Sequence, residues 1–350
     1  MTIKILYLTP VNPNIVTPET GYAQKLAARG HEITFGFGYT PKMLKLDYDI
    51  VYGAMEYSMN IATWISKKLK IPCYNHMEWI PPWRVGLDDP KNWGYDGTTF
   101  EKIDPFIVQK WYAIYIQQVQ DWENATISSL SGKCFKPIMK QFATKPINTE
   151  IKYYAANFNK LKHYKSDNIK EKNQIMSTAR LVPHKRIIHI VRALAKVKNA
   201  PPYKVIGYGN ELGRIQKEAK ELGVDIEIIG PGAHGIKERI IQESMFSINI
   251  WAGIPMAESY YYKKPAIGYA EEHVQEVLGK SPLWAERNNI DDLAKKIQYF
   301  LDNPKERKES GAKAYELMIN DKIGMGTEDR LMKELERIMY KGIDRYEGPK

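Results

Sequence analysis

The sequence of 350 residues has little cysteine and no long apolar run. Its two cysteines, Cys73 and Cys134, are far apart and lack metal-ligand spacing, which argues against a disulfide framework or a zinc site and indicates core thiols. No apolar run reaches the about 18 residues that suggest a membrane-spanning helix. The N-terminus, MTIKILYLTP, lacks the basic stretch and apolar region of a secretory signal, so we expect a cytoplasmic protein.

Acidic residues are outnumbered, with 41 Asp and Glu against 51 Lys and Arg, for a formal net charge of +10. This balance favours anionic partners such as nucleotide phosphates, nucleic acid or an acidic lipid surface, without choosing among them. We expect no nucleic-acid partner, because zinc-finger spacing, an aromatic RNA-binding signature and a concentrated basic arm are all missing. Peripheral contact with a membrane surface remains open.

Short apolar runs alternate with amphipathic stretches, the pattern of parallel sheets covered by helices, so the sequence predicts an α/β fold. Predicted strands of the first half are IKILYL, EITFGF, DIVYG, IPCYN, NATIS and IKYYA. Those of the second half are QIMSTA, YKVIGYG, IEIIG, FSINIW and PAIGY. A lysine-rich stretch over 160–173 is predicted as the interdomain linker, and three consecutive helices follow Asn289.

Two cations follow the first predicted strand of the second half, in STARLVPHKR. Arg180 and Lys185 flank a short turn that enters a helix, where two positive charges and free backbone N–H groups suit a diphosphate. The alternative is a pair of surface cations near a helix start.

Glycines and one acid follow later strands of the same half. Gly207 and Gly209, in VIGYGNELG, match a dinucleotide fingerprint only superficially, because they follow a later strand of the domain. We expect a tight turn that lets the backbone approach a base or ribose. Glu258, in PMAESYYYKKP, is placed at the front of a helix, where its carboxylate could accept both hydroxyls of a ribose. The alternative is favourable helix-start charge.

In the first half, the strand IPCYN delivers a histidine and an acid to the carboxyl edge of its sheet, where open α/β folds bind ligands. A long irregular stretch rich in tryptophan follows, and structureless loops of this length are usually functional. The predicted acceptor platform consists of Glu78, Trp79, Trp83 and Trp93. The alternative is a loop whose tryptophans simply pack.

Read in order, these segments resemble the family-4 retaining glycosyltransferases. The motifs that carry the resemblance are GYAQKLAARGHEITF, IPCYNHMEW, NATISSLSGKCFKPIM, TARLVPHKR, KVIGYGNEL, MAESYYYKKPAI and VQEVLG. The resemblance implies that His76 approaches the donor sugar and that Arg180 and Lys185 bind its diphosphate. It also implies that Glu258 binds the ribose, with Glu276 aligned in the donor site.

The same resemblance implies the GT-B fold, in which two Rossmann-like domains face each other across a cleft. The expected domains are an acceptor-binding domain at 1–160, a donor-binding domain at 161–322 and a helix at 323–350 that crosses back to the first domain. The implied activity is retaining transfer of a sugar from a UDP- or GDP-sugar to a glycan, lipid-linked or small-molecule acceptor. The resemblance implies a front-face route in which the leaving diphosphate helps to deprotonate the acceptor, so no protein nucleophile is expected. No cofactor is expected either, and no obligatory metal, because cationic side chains stabilise the diphosphate.

The sequence departs from the family pattern at three places. Ile250 stands where the first glutamate of a Glu-x7-Glu pair is expected, and Ala179-Arg180 and Lys185-Arg186 replace Gly-Arg and Lys-Gly. The segment PVNPNIVTPETG replaces a glycine pair after the first strand. A non-catalytic binding protein for nucleotide-sugars or glycans, and a GT-B epimerase or phosphorylase, remain as alternatives.

Overall fold

The computed structural model divides the chain into two compact units. It describes residues 2–9, 23–24, 26–54, 56–76, 125–129, 148–151, 158–230, 235–250, 254–270, 275, 278 and 283–319. The described residues of the first unit end at 151 and those of the second begin at 158. Within these ranges no helix combines the length and the apolar character that crossing a membrane requires. The predicted C-terminal helix at 323–350 and Cys134 lie outside them.

The first unit contains a six-stranded sheet in which all the paired strands are parallel. Its strands are β1 (Lys4–Leu8), β2 (Glu32–Gly36), β3 (Ile50–Ala54), β4 (Cys73–His76), β5 (Ala125–Ser129) and β6 (Asn148–Ile151). The spatial order is β2-β1-β3-β4-β5-β6, so β2 is added on one side of β1 and the chain then crosses back to add β3 on the other side. This confirms the predicted Rossmann-like sheet of the first half.

A short 3-10 helix, Pro41–Lys45, connects β2 to β3, and helix α1 (Glu56–Leu69) connects β3 to β4. Both connections move in the same direction across the sheet, and parallel crossovers are right-handed in nearly all proteins. The 3-10 helix and α1 therefore lie on one face of the sheet. Met43 fixes the 3-10 helix there, because its side chain is buried against the space above Gly36.

Three buried tyrosines stand in register across the centre of this sheet. Tyr7, Tyr52 and Tyr74 occupy paired positions on β1, β3 and β4. The rings of Tyr7 and Tyr52 are stacked with centroids 4.4 Å apart, and those of Tyr52 and Tyr74 are 5.2 Å apart. Cys73 is fully buried beside this row, which confirms the prediction of a core thiol, and burial raises the pKa of its thiol to about 12.

Two acids that precede β3 accept hydrogen bonds from the first residue of β1. Asp49 Oδ2 accepts a hydrogen bond from the backbone N–H of Lys4 at 2.8 Å, and Asp47 Oδ2 accepts one from Lys4 Nζ at 2.8 Å. These contacts hold the start of β1 beside the turn into β3. The pair Asp47 and Asp49 therefore stabilises the turn that leads into β3.

The second unit repeats the architecture with a second six-stranded sheet whose pairs are all parallel. Its strands are β7 (Ile175–Thr178), β8 (Tyr203–Ile206), β9 (Ile226–Ile229), β10 (Ser247–Ile248), β11 (Ala266–Tyr269) and β12 (Leu283–Ala285). Its helices are α2 (Phe158–His163), α3 (Ile187–Leu194), α4 (Leu212–Glu221), α5 (Ile236–Glu243), α6 (Ile254–Tyr261), α7 (Ile290–Asp302) and α8 (Pro304–Ile319). The order β12-β11-β10-β7-β8-β9 is that of a Rossmann fold, with its switch point between β7 and β10.

The last two helices begin where the sequence predicts. The side chain of Asn289 caps α7 by accepting a hydrogen bond from the backbone N–H of Asp292 at 2.9 Å. Pro304 opens α8, a position where its missing N–H costs nothing. Tyr260, Tyr261 and Tyr262, at the end of α6, are all buried and pack the helix against the rest of the unit.

Three local expectations differ from the structure. Strand β6 begins at Asn148, before the predicted IKYYA, because the polar run NTE pairs in register with β5. Strand β12 was not predicted, because LWA is short and follows a strand-poor stretch. Helix α2 lies at the start of the predicted linker, and the hydroxyl of Tyr262 donates to the carbonyl of Leu161 at 2.8 Å, which joins it to the second unit.

Candidate active site

The two predicted diphosphate-binding cations lie on one loop at the carboxyl end of β7. Strand β7 is central, with β10 on one side and β8 on the other, so this loop borders the switch point. Leu181 is fully buried and anchors the loop, while Arg180 is exposed and Lys185 is half-buried at the end of the 3-10 helix Pro183–Lys185. The structure therefore brings both cations to the ligand-binding edge of the sheet.

Gly207 and Gly209 lie in the loop that follows β8, and they allow this loop to pack directly against the loop of Arg180 and Lys185. A Cβ at Gly207 would be 1.8 Å from the carbonyl oxygen of Ala179, and one at Gly209 would be 2.2 Å from that of Leu181. Hydrogen bonds join the loops, from Leu181 N to Tyr208 O at 2.8 Å and from Glu211 N to Leu181 O at 2.9 Å. The close packing that the two glycines permit thus fixes the position of the Arg180 loop. This role was not predicted from the sequence.

Arg186 keeps the glycine-like backbone at the position where the resemblance expects glycine. Its φ of 50° lies in the left-handed region, which costs a residue with a side chain roughly 1–2 kcal/mol. The side chain is 1% exposed, and its guanidinium lies 5.6 Å from the centroid of the Tyr269 ring. A buried cation–π contact offsets part of the backbone strain. The turn from Lys185 into α3 is therefore kept without a glycine.

His189 lies one turn into α3 beside the same tyrosine, with its Nδ1 atom 3.0 Å from the Tyr269 hydroxyl. Burial, together with the smaller effect of the nearby charges of Arg186, Arg192 and Arg214, lowers the pKa of His189 to about 4. At neutral pH the folded protein therefore holds an uncharged imidazole next to a group of cations.

This histidine predicts a pH dependence of stability. In the unfolded chain its pKa returns to 6.5, so between pH 6.5 and about 4 the unfolded state binds more protons than the folded state. Stability should fall as the pH falls through this window, by about 3 kcal/mol in total at about 1.4 kcal/mol per unit. Urea unfolding at pH 7 and at pH 4 should show a larger loss for wild type than for His189→Gln. Equal losses in the two proteins would contradict the assignment.

Glu258 lies on α6, on the other side of the switch point. The helix has no acid in its first turn, and Glu258 lies in the second turn rather than at the front, where the sequence analysis placed it. The residue is buried and its carboxylate forms an ion pair with Lys237 of α5. Lys237 Nζ also lies 3.8 Å from Glu238 Oε1. The alternative of helix-start charge is therefore not supported, and Lys237 is a second site residue that sequence reasoning missed.

Asn249 follows β10 at the same edge and was also missed. Its Oδ1 atom accepts a hydrogen bond from the backbone N–H of Thr178 at 3.4 Å, which bridges the ends of β7 and β10 across the switch point. Its Nδ2 atom is buried without a hydrogen-bond partner in the described part of the chain. A buried donor left unsatisfied costs about 1–3 kcal/mol, so a ligand acceptor there would be favourable. The feature of the sequence that could have identified Asn249 is a side-chain amide at the end of a predicted strand.

Ile250 occupies the position of the missing first glutamate. It is 1% exposed and belongs to the apolar core of the second unit. This position is therefore a core position here and offers no side chain to a ligand.

The remaining predicted site residues are less fully described. His76 is the last residue of β4 and pairs in register with Ala54 of β3 and Ser128 of β5, which places its backbone at the carboxyl edge. The expected donor-site residue Glu276 lies outside the described residues. So do the expected acceptor residues Glu78, Trp79, Trp83 and Trp93.

Comparison with known proteins agrees with this arrangement. The fold is similar to that of Alr3699/HepE of Anabaena in complex with UDP. The two structures superpose over 95% of this chain and 100% of the other, with a TM-score of 0.71 at 12% identity. Sucrose-phosphate synthase from Thermosynechococcus elongatus matches over 97% of this chain and 100% of its own, with a TM-score of 0.70 at 13% identity. These likenesses establish the fold.

A curated relative is the poly(ribitol-phosphate) alpha-N-acetylglucosaminyltransferase of Staphylococcus aureus (strain COL). It is 23% identical over 194 residues, which are 52% of this chain and 38% of that protein, so the match spans well under half of the relative's length. Residues 159–317 match the family model described as glycosyl transferases group 1, and this range contains the Arg180 loop, both glycines and Glu258. Residues 159–317, which make up most of the described second unit, are therefore similar to the glycosyl transferases group 1 family, and the chain has the GT-B fold.

Proposed function

We propose that the protein is a retaining glycosyltransferase that moves a sugar from a UDP-sugar to a glycan, lipid-linked or small-molecule acceptor. The observation that carries the proposal is the second unit's switch point, which has two cations on one side and a buried carboxylate on the other. Open α/β sheets bind nucleotides at this point. Cations suit a diphosphate and a carboxylate suits the hydroxyls of a ribose.

The choice of donor rests on the relatives. Alr3699/HepE was crystallised with UDP, and the curated relative is named as an N-acetylglucosaminyltransferase. We therefore expect UDP rather than GDP as the nucleotide of the donor, and N-acetylglucosamine is the first sugar to be tested.

The proposed chemistry is electrostatic. Arg180 and Lys185 stabilise the negative charge that develops on the leaving diphosphate, and the diphosphate helps to deprotonate the acceptor. By the resemblance, we assign His76 to the donor sugar and the loop of Gly207 and Gly209 to the nucleotide. Retention needs no protein nucleophile in this scheme, and the two cations replace an obligatory metal, so transfer should continue with a chelator present.

Several parts of the site stay proposals from the resemblance. We assign Glu276 to the donor site, and we assign Glu78, Trp79, Trp83 and Trp93 to an acceptor platform in which aromatic rings stack on sugar faces. The expected domain limits, 1–160, 161–322 and a returning helix at 323–350, belong to the same proposal.

A ligand screen with a product analysis tests the function. Thermal unfolding is followed with UDP, GDP, ADP and their common sugars, and a ligand at a hundred times its Kd should raise the free energy of unfolding by about 2.7 kcal/mol. With the best donor and simple sugar acceptors, NMR of the product should show the anomeric configuration of the donor. An inverted product would exclude the retaining mechanism, and no shift with any nucleotide would exclude the nucleotide-sugar site.

One substitution tests the role of the buried carboxylate. Glu258→Gln should raise the Kd of the donor about 10- to 100-fold, because hydrogen bonds to a charged group contribute about 1.5–3 kcal/mol each. Isothermal titration measures the Kd. The matched control is Glu243→Gln, which removes a carboxylate that is also buried and paired with Lys172 and Arg239 in the same unit. Equal Kd changes in the two variants would argue against ribose binding by Glu258.

Lys237 offers a finer test of the same carboxylate. Lys237→Met removes the cation that pairs with Glu258 but keeps the length of its apolar stem. We expect a weaker donor affinity, because the carboxylate loses the partner that fixes its position, and an effect smaller than that of Glu258→Gln.

The alternative function is binding of a nucleotide-sugar without transfer. It is favoured by Ile250, since a core isoleucine replaces the acid expected to touch the donor sugar. Donor binding without any transferred product across the acceptor panel would select this alternative.

A further inference from the structure

The first unit exposes a group of large apolar side chains, which is unusual on a monomer surface when they lie together. Phe37 is 69% exposed, Leu46 is 51% exposed, and Tyr39 and Trp64 are each 43% exposed. Phe37, Tyr39 and Leu46 belong to the connection between β2 and β3, whereas Trp64 belongs to α1. Both elements lie on the same face of the sheet.

A ring contact joins the two elements into one surface. The rings of Tyr39 and Trp64 meet edge to face with centroids 5.0 Å apart. Lys68 extends the surface along α1, since its Nζ atom lies 5.7 Å from the centroid of Trp64. We call this surface the aromatic–lysine patch. It consists of Phe37, Tyr39, Leu46 and Trp64 with the lysines Lys42, Lys45, Lys67, Lys68 and Lys70.

The charge of the patch has one sign. The segment 37–46 contains two lysines and no acid, and the segment 58–70 contains three lysines and no acid. The next acid along the chain, Asp47, is paired with Lys4 at 2.8 Å. The two segments that carry the four exposed apolar side chains thus also carry five lysines and no acid, so a partner that fits must be anionic and must also accept apolar groups.

We propose that the aromatic–lysine patch docks the protein on an anionic lipid bilayer. Aromatic rings favour the headgroup level of a membrane, and lysines bury their apolar stems while the ammonium groups reach the lipid phosphates. Each lysine near an anionic surface strengthens binding about fivefold. A nucleic-acid duplex would match the lysines but would leave Phe37 and Leu46 in water. The proposal does not depend on the sugar-transfer reaction.

Vesicle flotation tests the proposal with the full chain. The probes are vesicles of phosphatidylcholine alone and vesicles of equal amounts of phosphatidylglycerol and phosphatidylcholine. The patch variant combines Phe37→Ser, Lys67→Glu and Lys68→Glu. The matched control combines Tyr299→Ser, Lys305→Glu and Lys308→Glu, which reverses the same number of lysine charges and removes one exposed aromatic ring in the second unit.

Wild type and the control should bind the anionic vesicles and not the neutral ones. The patch variant should bind at least about 25-fold more weakly than wild type, from the loss of two lysines alone. All three proteins should unfold at nearly the same temperature, because the changed side chains are exposed. Phe37→Ser alone should also weaken binding, since it removes an apolar group without changing the charge.

Three results would overturn the proposal. Wild type could fail to float with anionic vesicles, or the patch variant and the control could lose binding equally, which would assign the effect to overall charge. Binding to duplex DNA as strong as binding to vesicles, with the same loss in the patch variant and no effect of Phe37→Ser, would make the surface a general polyanion site.

Discussion

Replacing Arg180 and Lys185 together with alanine should lower kcat/KM for the preferred UDP-sugar by at least about a thousandfold. Removing a single donor from an oxyanion site costs about 10²–10³ in rate, and in the proposed mechanism both cations stabilise the charge that develops on one leaving diphosphate. Arg180 is exposed and the loop is anchored by Leu181, so the variant should fold like wild type. The expected loss therefore reports on catalysis and not on stability.

Initial rates of UDP release in the presence of an acceptor measure this effect. The matched control is the double substitution Lys308→Ala and Lys313→Ala, which removes two exposed lysines from α8 of the same unit. The control should keep the wild-type rate. An active-site variant that kept more than about a tenth of wild-type kcat/KM would exclude the proposed role, because even one lost donor should cost more.

Gly207→Ala should destabilise the second unit by at least about 3 kcal/mol, at the upper end of what overpacking usually costs. The new Cβ would stand 1.8 Å from the carbonyl oxygen of Ala179, and a backbone atom cannot move aside like the tip of a side chain. The loop that carries Arg180 would have to shift. We therefore expect donor affinity to fall along with stability.

Gly213→Ala provides the control for this prediction. Gly213 lies in helix α4, and a Cβ there meets nothing within 4 Å. Alanine should stabilise the helix by roughly 0.5–1 kcal/mol, because glycine is a poor helix former. Urea unfolding of both variants, together with titration of UDP, separates the two outcomes. If Gly207→Ala were as stable as wild type, the close packing of the two loops would be wrong.

The sequence predicted the elements of both sheets wherever apolar runs were long. Alternation of strands and helices was enough for ten strands, because parallel strands buried on both faces read as apolar runs. Strand β12 was missed because three residues, LWA, carry no such pattern. Strand β6 was misplaced because its polar residues pair through the backbone, which sequence hydrophobicity does not record.

The candidate site was predictable where local chemistry marked it. Arg180 and Lys185 stood out because two cations follow a strand end, and the structure places them on one loop. Lys237 could not be found, because its pairing with Glu258 joins two helices separated in sequence. The packing of Gly207 against Ala179 could not be predicted either, because the two residues are also separated in sequence. A glycine-rich turn has the same sequence whether it approaches a ligand or another loop.

The pairing of β7 with β10 constrains how the second sheet can form. The hydroxyl of Ser177 on β7 donates to the carbonyl of Ile248, and these residues are 71 positions apart. Until the chain has been synthesised past β10, the central strand β7 has a partner on one side only, and the unpaired N–H and C=O groups of its other edge are open to other chains. Fragments that end between β9 and β10 should therefore aggregate, whereas fragments that include β10 should have their central strand paired on both sides.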